Sequence, residues 1–180
     1  ELGIHPEDVT VKFGDTGTSP FGFGTFASRS IVMSGGAVSN ACVLIREKLA
    51  HIAAHHLQCD TAAVSFADGA AYGASGSIPL AELARAAHLR QDCLPDGLDP
   101  ILDATVTYEP SSSSGVFSYA THAAVVAVDP ESGAVELMDY AVVEDCGNVV
   151  NPMIVDGQIV GGVAQGIGTA LYEESVHDHK

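Results

Sequence analysis

The stretch Gly22-Phe-Gly-Thr-Phe-Ala-Ser-Arg-Ser30 holds the residue types an anion site needs. Its glycines let the backbone turn N–H groups toward an anion, and a helix expected to follow would add its positive end. Thr25, Ser28 and Ser30 supply hydroxyl donors, and Arg29 is one of only 7 Lys and Arg in the chain. A phosphate-bearing ligand suits this set. A solvent loop with an incidental arginine suits it as well. The residues also fit the GxGxxA nicotinamide-dinucleotide pattern. That fingerprint has to follow its strand directly, open a helix and be answered by an acid-ended second strand about 20 residues on. Here the preceding strand is expected to end at Phe13, and Ile45-Arg-Glu-Lys48 falls inside a helix.

The second group lies near the C-terminal end. Gly157, Gly161, Gly162, Gly166 and Gly168 fall within one expected helix. Each glycine weakens a helix interior by up to about 1 kcal/mol relative to Ala. Gly157 with Gly161, and Gly162 with Gly166, are spaced four apart and make flat strips on which another element or a cofactor could lie. Gln158 or Gln165 could then donate to and accept from a heterocycle. The third group is His51-Ile-Ala-Ala-His55-His56. Two histidines at i and i+4 share a helix face and could hold zinc. No third ligand is obvious, the metalloprotease glutamate is replaced by Ile52, and a solvated helix end favours histidine through its dipole. Gly73-Ala-Ser75-Gly76-Ser77 misses the GxSxG nucleophile elbow at its last position.

These residues need elements to hold them. Val9–Phe13 alternates like a strand, and residues 14–24 read as a loop. Val38, Cys42, Ile45, Leu49 and Ile52 recur at helical steps, which predicts a helix from about Ser34 to Leu57. Ala62–Phe66 and the run near Tyr72 predict a small hairpin around Asp68-Gly69. Ser77 is placed to cap a helix from Pro79 to about Arg90, with Leu80, Leu83, Ala84 and Ala87 as its apolar stripe. Strands are expected at Ala104–Glu109, Ser118–Val128 and Ala134–Val143, the last two joined by the turn Asp129-Pro-Glu-Ser-Gly133. The run Ala123–Val128 is apolar on both faces, as in a strand buried on both sides. Asn151 and Pro152 open the last helix, expected to reach about Glu174. The predicted fold class is α+β, two lobes of mixed sheet with packed helices. The first lobe is 1–110, the second is 111–180, and Ser111–Ser114 is the joint.

Composition narrows the partners. The 180 residues include 23 Asp and Glu, giving a formal net charge of −16. From Gln91 to His179 there are 15 acids and no Lys or Arg. Such a surface repels phosphate backbones and anionic membranes. Hydrophobic residues make up 47 % of the chain, enough for a real core. The uncharged run Gly157–Tyr172 is shorter than the roughly 20 residues a span requires. Cys42, Cys59, Cys93 and Cys146 form no CxxC pair, which favours a reduced, cytoplasmic chain over disulfides, with the periplasm as the other compartment. An opening Glu1 and a closing Val176-His-Asp-His-Lys180 are expected to be the ends of a fragment.

Laid end to end, several stretches resemble one family. They are Leu2–Val9, Gly14-Asp-Thr16, Gly22–Ser30, Ile45–Lys48, Ala123–Pro130 with Gly133, Asp145-Cys-Gly147, Asn151-Pro152, Asp156-Gly-Gln158, Gly161–Gly168 and Leu171-Tyr-Glu-Glu174. Their order and spacing look like the large, molybdopterin-binding subunit of the molybdenum hydroxylases, the group of xanthine dehydrogenase, aldehyde oxidoreductase and carbon monoxide dehydrogenase. One departure is Gly17, where the family often has Asp after Gly-Asp-Thr.

The resemblance implies an oxidoreductase that hydroxylates an aldehyde, purine or other heterocycle, or oxidises CO, at a molybdenum–molybdopterin centre with water as oxygen source. The pterin is often the cytosine dinucleotide form. Electrons leave through [2Fe-2S] clusters to FAD on partner subunits or domains, so the implied partners are the rest of the large subunit, an iron–sulfur subunit, an FAD subunit and a small-molecule substrate, in an oligomer. By carry-over, Ser28 and Ser30 match cofactor-contacting positions, with Thr25, Phe26 and Ala27 lining the turn and Arg29 placed to meet a phosphate. Gln158 matches a cofactor-contacting glutamine, and Gln165 supports it. The family's catalytic glutamate would lie beyond Lys180, leaving the fragment inactive alone. An NAD- or NADP-binding oxidoreductase domain and a non-enzymatic acidic interaction module remain the other readings.

Overall fold

The computed structural model describes residues 1–111, 115 and 117–177. They fall into two units, Glu1–Ser111 and Ser112–Lys180. Three serines of the expected joint, Ser112–Ser114, lie outside the described residues, as do the last three residues of the chain.

In the first unit a π-helical turn, Ile31–Gly35, leads without a break into helix α1, Gly36–Leu57. Gln58 ends α1 in the left-handed region at φ 50°, and the Cys59 N–H donates back to the Ala54 carbonyl at 3.1 Å. Strands β1 (Ser65–Ala67), β2 (Ala70–Gly73) and β3 (Gly76–Pro79) make an antiparallel sheet in the order β1-β2-β3. Asp68 and Gly69 join β1 to β2, both at positive φ (47° and 70°), as the Asp-Gly pair predicts. The third strand was not foreseen. Ser77, read as a helix cap, instead pairs with Tyr72 in the sheet, and helix α2 (Leu80–Leu89) starts after Pro79.

The core lies where α1, α2 and the sheet meet. Leu49, Ile52, Ala53, Ala71, Leu80, Leu83 and Ala87 are buried together there, with Ile52 and Leu83 fully enclosed. The α1 stripe is thus used only in its second half: Val38 stays 62 % exposed. On α2 it is Ala86 rather than Ala84 that joins the core.

Two expected strands of this unit do not form. Val9–Phe13 is extended but pairs with nothing, and Val9, Val11 and Phe13 are all exposed. Ala104–Glu109 keeps a period of two, with even-numbered residues half-buried and odd ones exposed. It runs as extended chain tied to α1 rather than as a ladder. Leu102 packs on the core, Lys48 donates to the Ile101 carbonyl at 2.7 Å, and the Tyr108 ring covers Gly36. Alternation reports which side of an extended chain is covered, not whether its backbone has a partner.

In the second unit β4 (Tyr119–Val128) and β5 (Val135–Asp145) form one antiparallel hairpin, with a bulge that sets Met138 between the Asp139 and Leu137 pairs. The Asp129 carboxylate ties the turn, accepting from the Glu131 N–H at 2.9 Å and the Ser132 hydroxyl at 2.5 Å. Both bonds favour the charged form, and the Asp129 carboxyl is held below its ordinary value, the serine contributing most. The expectation that Ala123–Val128 is buried on both sides fails: every residue of β4 is exposed. A two-stranded hairpin has no layer of its own to cover either face. Helix α3 (Pro152–Leu171) begins as expected, with the Asn151 side chain accepting from the Ile154 N–H at 3.4 Å. Both sheets are antiparallel, so the sheet content is not mixed in direction.

Candidate cofactor-binding site

The loop before α1 is built from successive tight turns. Asp15 starts the first, accepting the Gly17 N–H on its carboxylate at 2.8 Å and the Ser19 N–H on its carbonyl at 2.9 Å. The chain then passes three exposed phenylalanines, Phe21, Phe23 and Phe26, of which the first two meet edge to face at 5.5 Å between centroids.

The second turn is Phe26-Ala-Ser-Arg29. Ala27 and Ser28 both have positive φ, 51° and 54°, and the Arg29 N–H donates to the Phe26 carbonyl at 3.3 Å. This is the pattern of a type I′ turn, which normally takes Gly, Asn or Asp. An L-residue with a Cβ is held there at a penalty of roughly 1–2 kcal/mol. Among the described residues neither the Ala27 nor the Ser28 N–H has a hydrogen-bond partner. The Thr25 and Ser30 hydroxyls meet at 2.5 Å across the base of the turn. The helical segment starts at once, so its free N-terminal N–H groups and dipole lie beside these donors.

Arg29 makes its side-chain contacts within the loop itself. Its guanidinium is turned inward. Nε and one terminal nitrogen donate to the Gly24 carbonyl at 3.1 and 2.8 Å, and the planar group lies over the Phe26 ring at 4.0 Å. Thr25, Phe26, Ala27, Ser28, Arg29 and Ser30 thus share one turn.

The glutamines are in the second unit. Gln158 and Gln165 stand seven residues apart on α3, two turns along one face, and both are exposed. Gly161 and Gly162 lie between them on that face. A Cβ added at Gly157, Gly161, Gly162 or Gly166 meets nothing within 4 Å. The packing of the described residues within the second unit therefore does not explain these glycines.

The histidine group does not gather ligands. His51 faces Thr61 at 3.4 Å, His55 and His56 are exposed, and no cluster of three or more His, Cys, Asp or Glu forms among the described residues. The dinucleotide reading lacks its scaffold: no strand precedes Gly22, and no parallel strand pair occurs among the described residues.

Residues 1–180 match the molybdopterin cofactor-binding domain family along their whole length. The chain belongs to that family. It is 38 % identical over 181 residues to the nicotine 6-hydroxylase large subunit of Paenarthrobacter nicotinovorans, covering 99 % of this chain and 22 % of the relative. It is 32 % identical to the carbon monoxide dehydrogenase large chain of Hydrogenophaga pseudoflava, again over 99 % and 22 %. Among solved structures, quinoline 2-oxidoreductase from Pseudomonas putida 86 superposes with a TM-score of 0.89 at 38 % identity, over 99 % of this chain and 23 % of that one. The chain thus spans about a fifth of the length of these relatives. The α+β class agrees with this neighbour. No helix among the described residues is long and apolar enough to cross a membrane.

Proposed function

We propose that this chain is part of the large subunit of a molybdenum hydroxylase and holds the molybdopterin cofactor, with the Thr25–Ser30 turn of the first unit as the anion-holding element and Gln158 and Gln165 of the second unit as separate candidate contacts. The turn carries the reading: two unpartnered N–H groups, the Ser28 and Ser30 hydroxyls and a helix start fall within five consecutive exposed or half-exposed residues of a family member. The N–H groups of Ala27 and Ser28 and the two hydroxyls donate to phosphate oxygens. The helix start stabilises the same negative charge. Thr25 orients Ser30 through their shared hydrogen bond. Phe26 fixes the approach to the turn with its ring. The Gln158 and Gln165 amides each offer a donor and an acceptor to a heterocycle lying on the glycine strips.

When bound, the cofactor supplies the two-electron oxidation of a substrate carbon with oxygen from water. The substrate is a heterocycle, aldehyde, purine or CO, in keeping with the relatives' names. The dinucleotide form is the proposed one, because paired N–H and hydroxyl donors on the turn suit a pyrophosphate. Partner subunits with [2Fe-2S] and FAD would carry the electrons onward. We place the protein in the cytoplasm, where its four free cysteines stay reduced.

The test uses the full-length subunit carrying these residues. Purified from a molybdenum-sufficient host, it is expected to contain molybdenum by mass spectrometry and to release a fluorescent pterin on oxidation. Ser28→Ala removes one hydrogen bond to a charged group and is expected to lower the content about tenfold. A full-length protein with neither molybdenum nor pterin would overturn the proposal.

A further inference from the structure

Arg29 is the natural phosphate ligand of this loop by charge alone, yet its geometry serves another end. Resting on the cofactor reading just given, we infer that Arg29 is a positioning residue: it clamps the strained Ala27-Ser28 turn in the shape that presents its N–H groups, and it does not itself bind the phosphate.

Three observations converge. First, the turn is strained by its own sequence. Ala27 and Ser28 occupy the left-handed region without being Gly, Asn or Asp. Something must hold them there, because a free Ala-Ser pair relaxes to negative φ. Second, Arg29 closes that turn from both ends. Its backbone N–H bonds to the Phe26 carbonyl at 3.3 Å, and its side chain reaches back to the Gly24 carbonyl through two nitrogens at 3.1 and 2.8 Å. Third, the guanidinium is stacked at 4.0 Å on the Phe26 ring, the residue that opens the turn, with Phe23 at 5.9 Å. Stacking, a planar fork and a fixed charge act together here, which a lysine ammonium does not reproduce. Two of the five guanidinium N–H donors are committed to the Gly24 carbonyl, and one face of the group is covered by Phe26. The strain marks a turn whose shape matters, and the arginine is what keeps it.

The deciding experiment separates a clamp from a ligand by relieving the strain independently. In the full-length subunit, Arg29→Gln removes the charge and the stacked fork. Arg29→Gln with Ala27→Gly removes them too, but glycine adopts positive φ without a steric penalty and keeps its N–H. Two readouts are taken. One is pterin and molybdenum content. The other is hydrogen exchange of the peptide containing the residue-29 amide, which reports whether the turn is closed and needs no cofactor. Arg29→Gln is expected to speed that exchange and to lower cofactor content, each about tenfold, the relief expected for one left-handed residue. Ala27→Gly is expected to restore most of both, and Arg29→Lys is expected to restore neither. If content falls in Arg29→Gln and the glycine does not recover it while exchange stays slow, Arg29 is a direct phosphate ligand and the inference is wrong. Unchanged exchange and content in Arg29→Gln also refute it. If the wild-type subunit carries no cofactor, the proposed function fails, and the exchange readout still decides whether Arg29 clamps the turn.

Discussion

Helix α3 carries four glycines at which an added Cβ meets none of the described residues within 4 Å, and substituting two of them makes a two-sided prediction. Gly161 and Gly162 lie between Gln158 and Gln165, and a Cβ at either meets open space within 4 Å. Alanine is favoured over glycine in a helix interior by roughly 0.8–1.0 kcal/mol. The double substitution Gly161→Ala with Gly162→Ala therefore stabilises α3 as a helix by about 2 kcal/mol. If a cofactor or the rest of the subunit lies on that face at backbone distance, the same two methyl groups intrude on a packed contact. Overpacking of that kind costs about 1–3 kcal/mol per site, which lowers occupancy tenfold or more. The two effects are read separately. Circular dichroism of a peptide spanning residues 151–172 is expected to show higher helicity with the alanines. The full-length subunit with the same alanines is expected to lose most of its pterin and molybdenum. A subunit that keeps its full cofactor content with both alanines refutes the reasoning, because the face would then be open in the assembled protein as well.

Two further predictions concern the scaffold. Gly36→Ala has the opposite sign to the α3 substitutions, because a Cβ there would sit 2.5 Å from Cγ of Tyr108, well inside the ordinary contact distance of about 3.5–4.0 Å. The steric loss of about 1–3 kcal/mol outweighs a propensity gain of about 1 kcal/mol, so urea unfolding is expected to shift to lower denaturant, and Tyr108→Ala is expected to reverse the effect. Asp129 is held below its ordinary value of about 3.9 by the Ser132 hydroxyl and the Glu131 N–H. Its support of the β4–β5 turn is then present above that value and lost as pH falls through the depressed one. Exchange of the Gly133 amide, which donates to the Asp129 carbonyl at 2.8 Å, is expected to lose protection in that acid range, and Asp129→Asn is expected to remove the dependence.

What the sequence made legible follows from where its signals are local. The Asp-Gly turn at residue 68, the Asn151-Pro152 helix start and the Asp129–Gly133 turn are decided by a few neighbouring residues, and each appears where expected. The failures are of another kind. Ala104–Glu109 alternates, but whether an extended chain finds a strand or a helix beside it is decided by distant residues. Ala123–Val128 is apolar on both faces, but apolarity states what a strand requires, not that this chain supplies it. The contacts of Arg29 with the Gly24 carbonyl and the Phe26 face were likewise not legible, because they exist only once the turn has folded.

Glycine shows the same limit within one residue type. Gly36 is small because an aromatic ring from the extended segment rests on it, and Gly161 is small with nothing of this chain above it. Both sit inside helices and weaken them alike, so propensity does not tell them apart. Structure does. For Gly36 the chain contains the reason, and the residue belongs to the fold. For Gly161 and its neighbours no described residue supplies a reason, and the helix gives up about 1 kcal/mol at each of four open positions. The exposed apolar faces of β4 and the unpartnered N–H groups of Ala27 and Ser28 are of the same kind. Each is a local rule broken without compensation inside the chain, and such breaks concentrate where function is located. Under the proposed function, these are the positions where a cofactor and the rest of a large subunit would make contact.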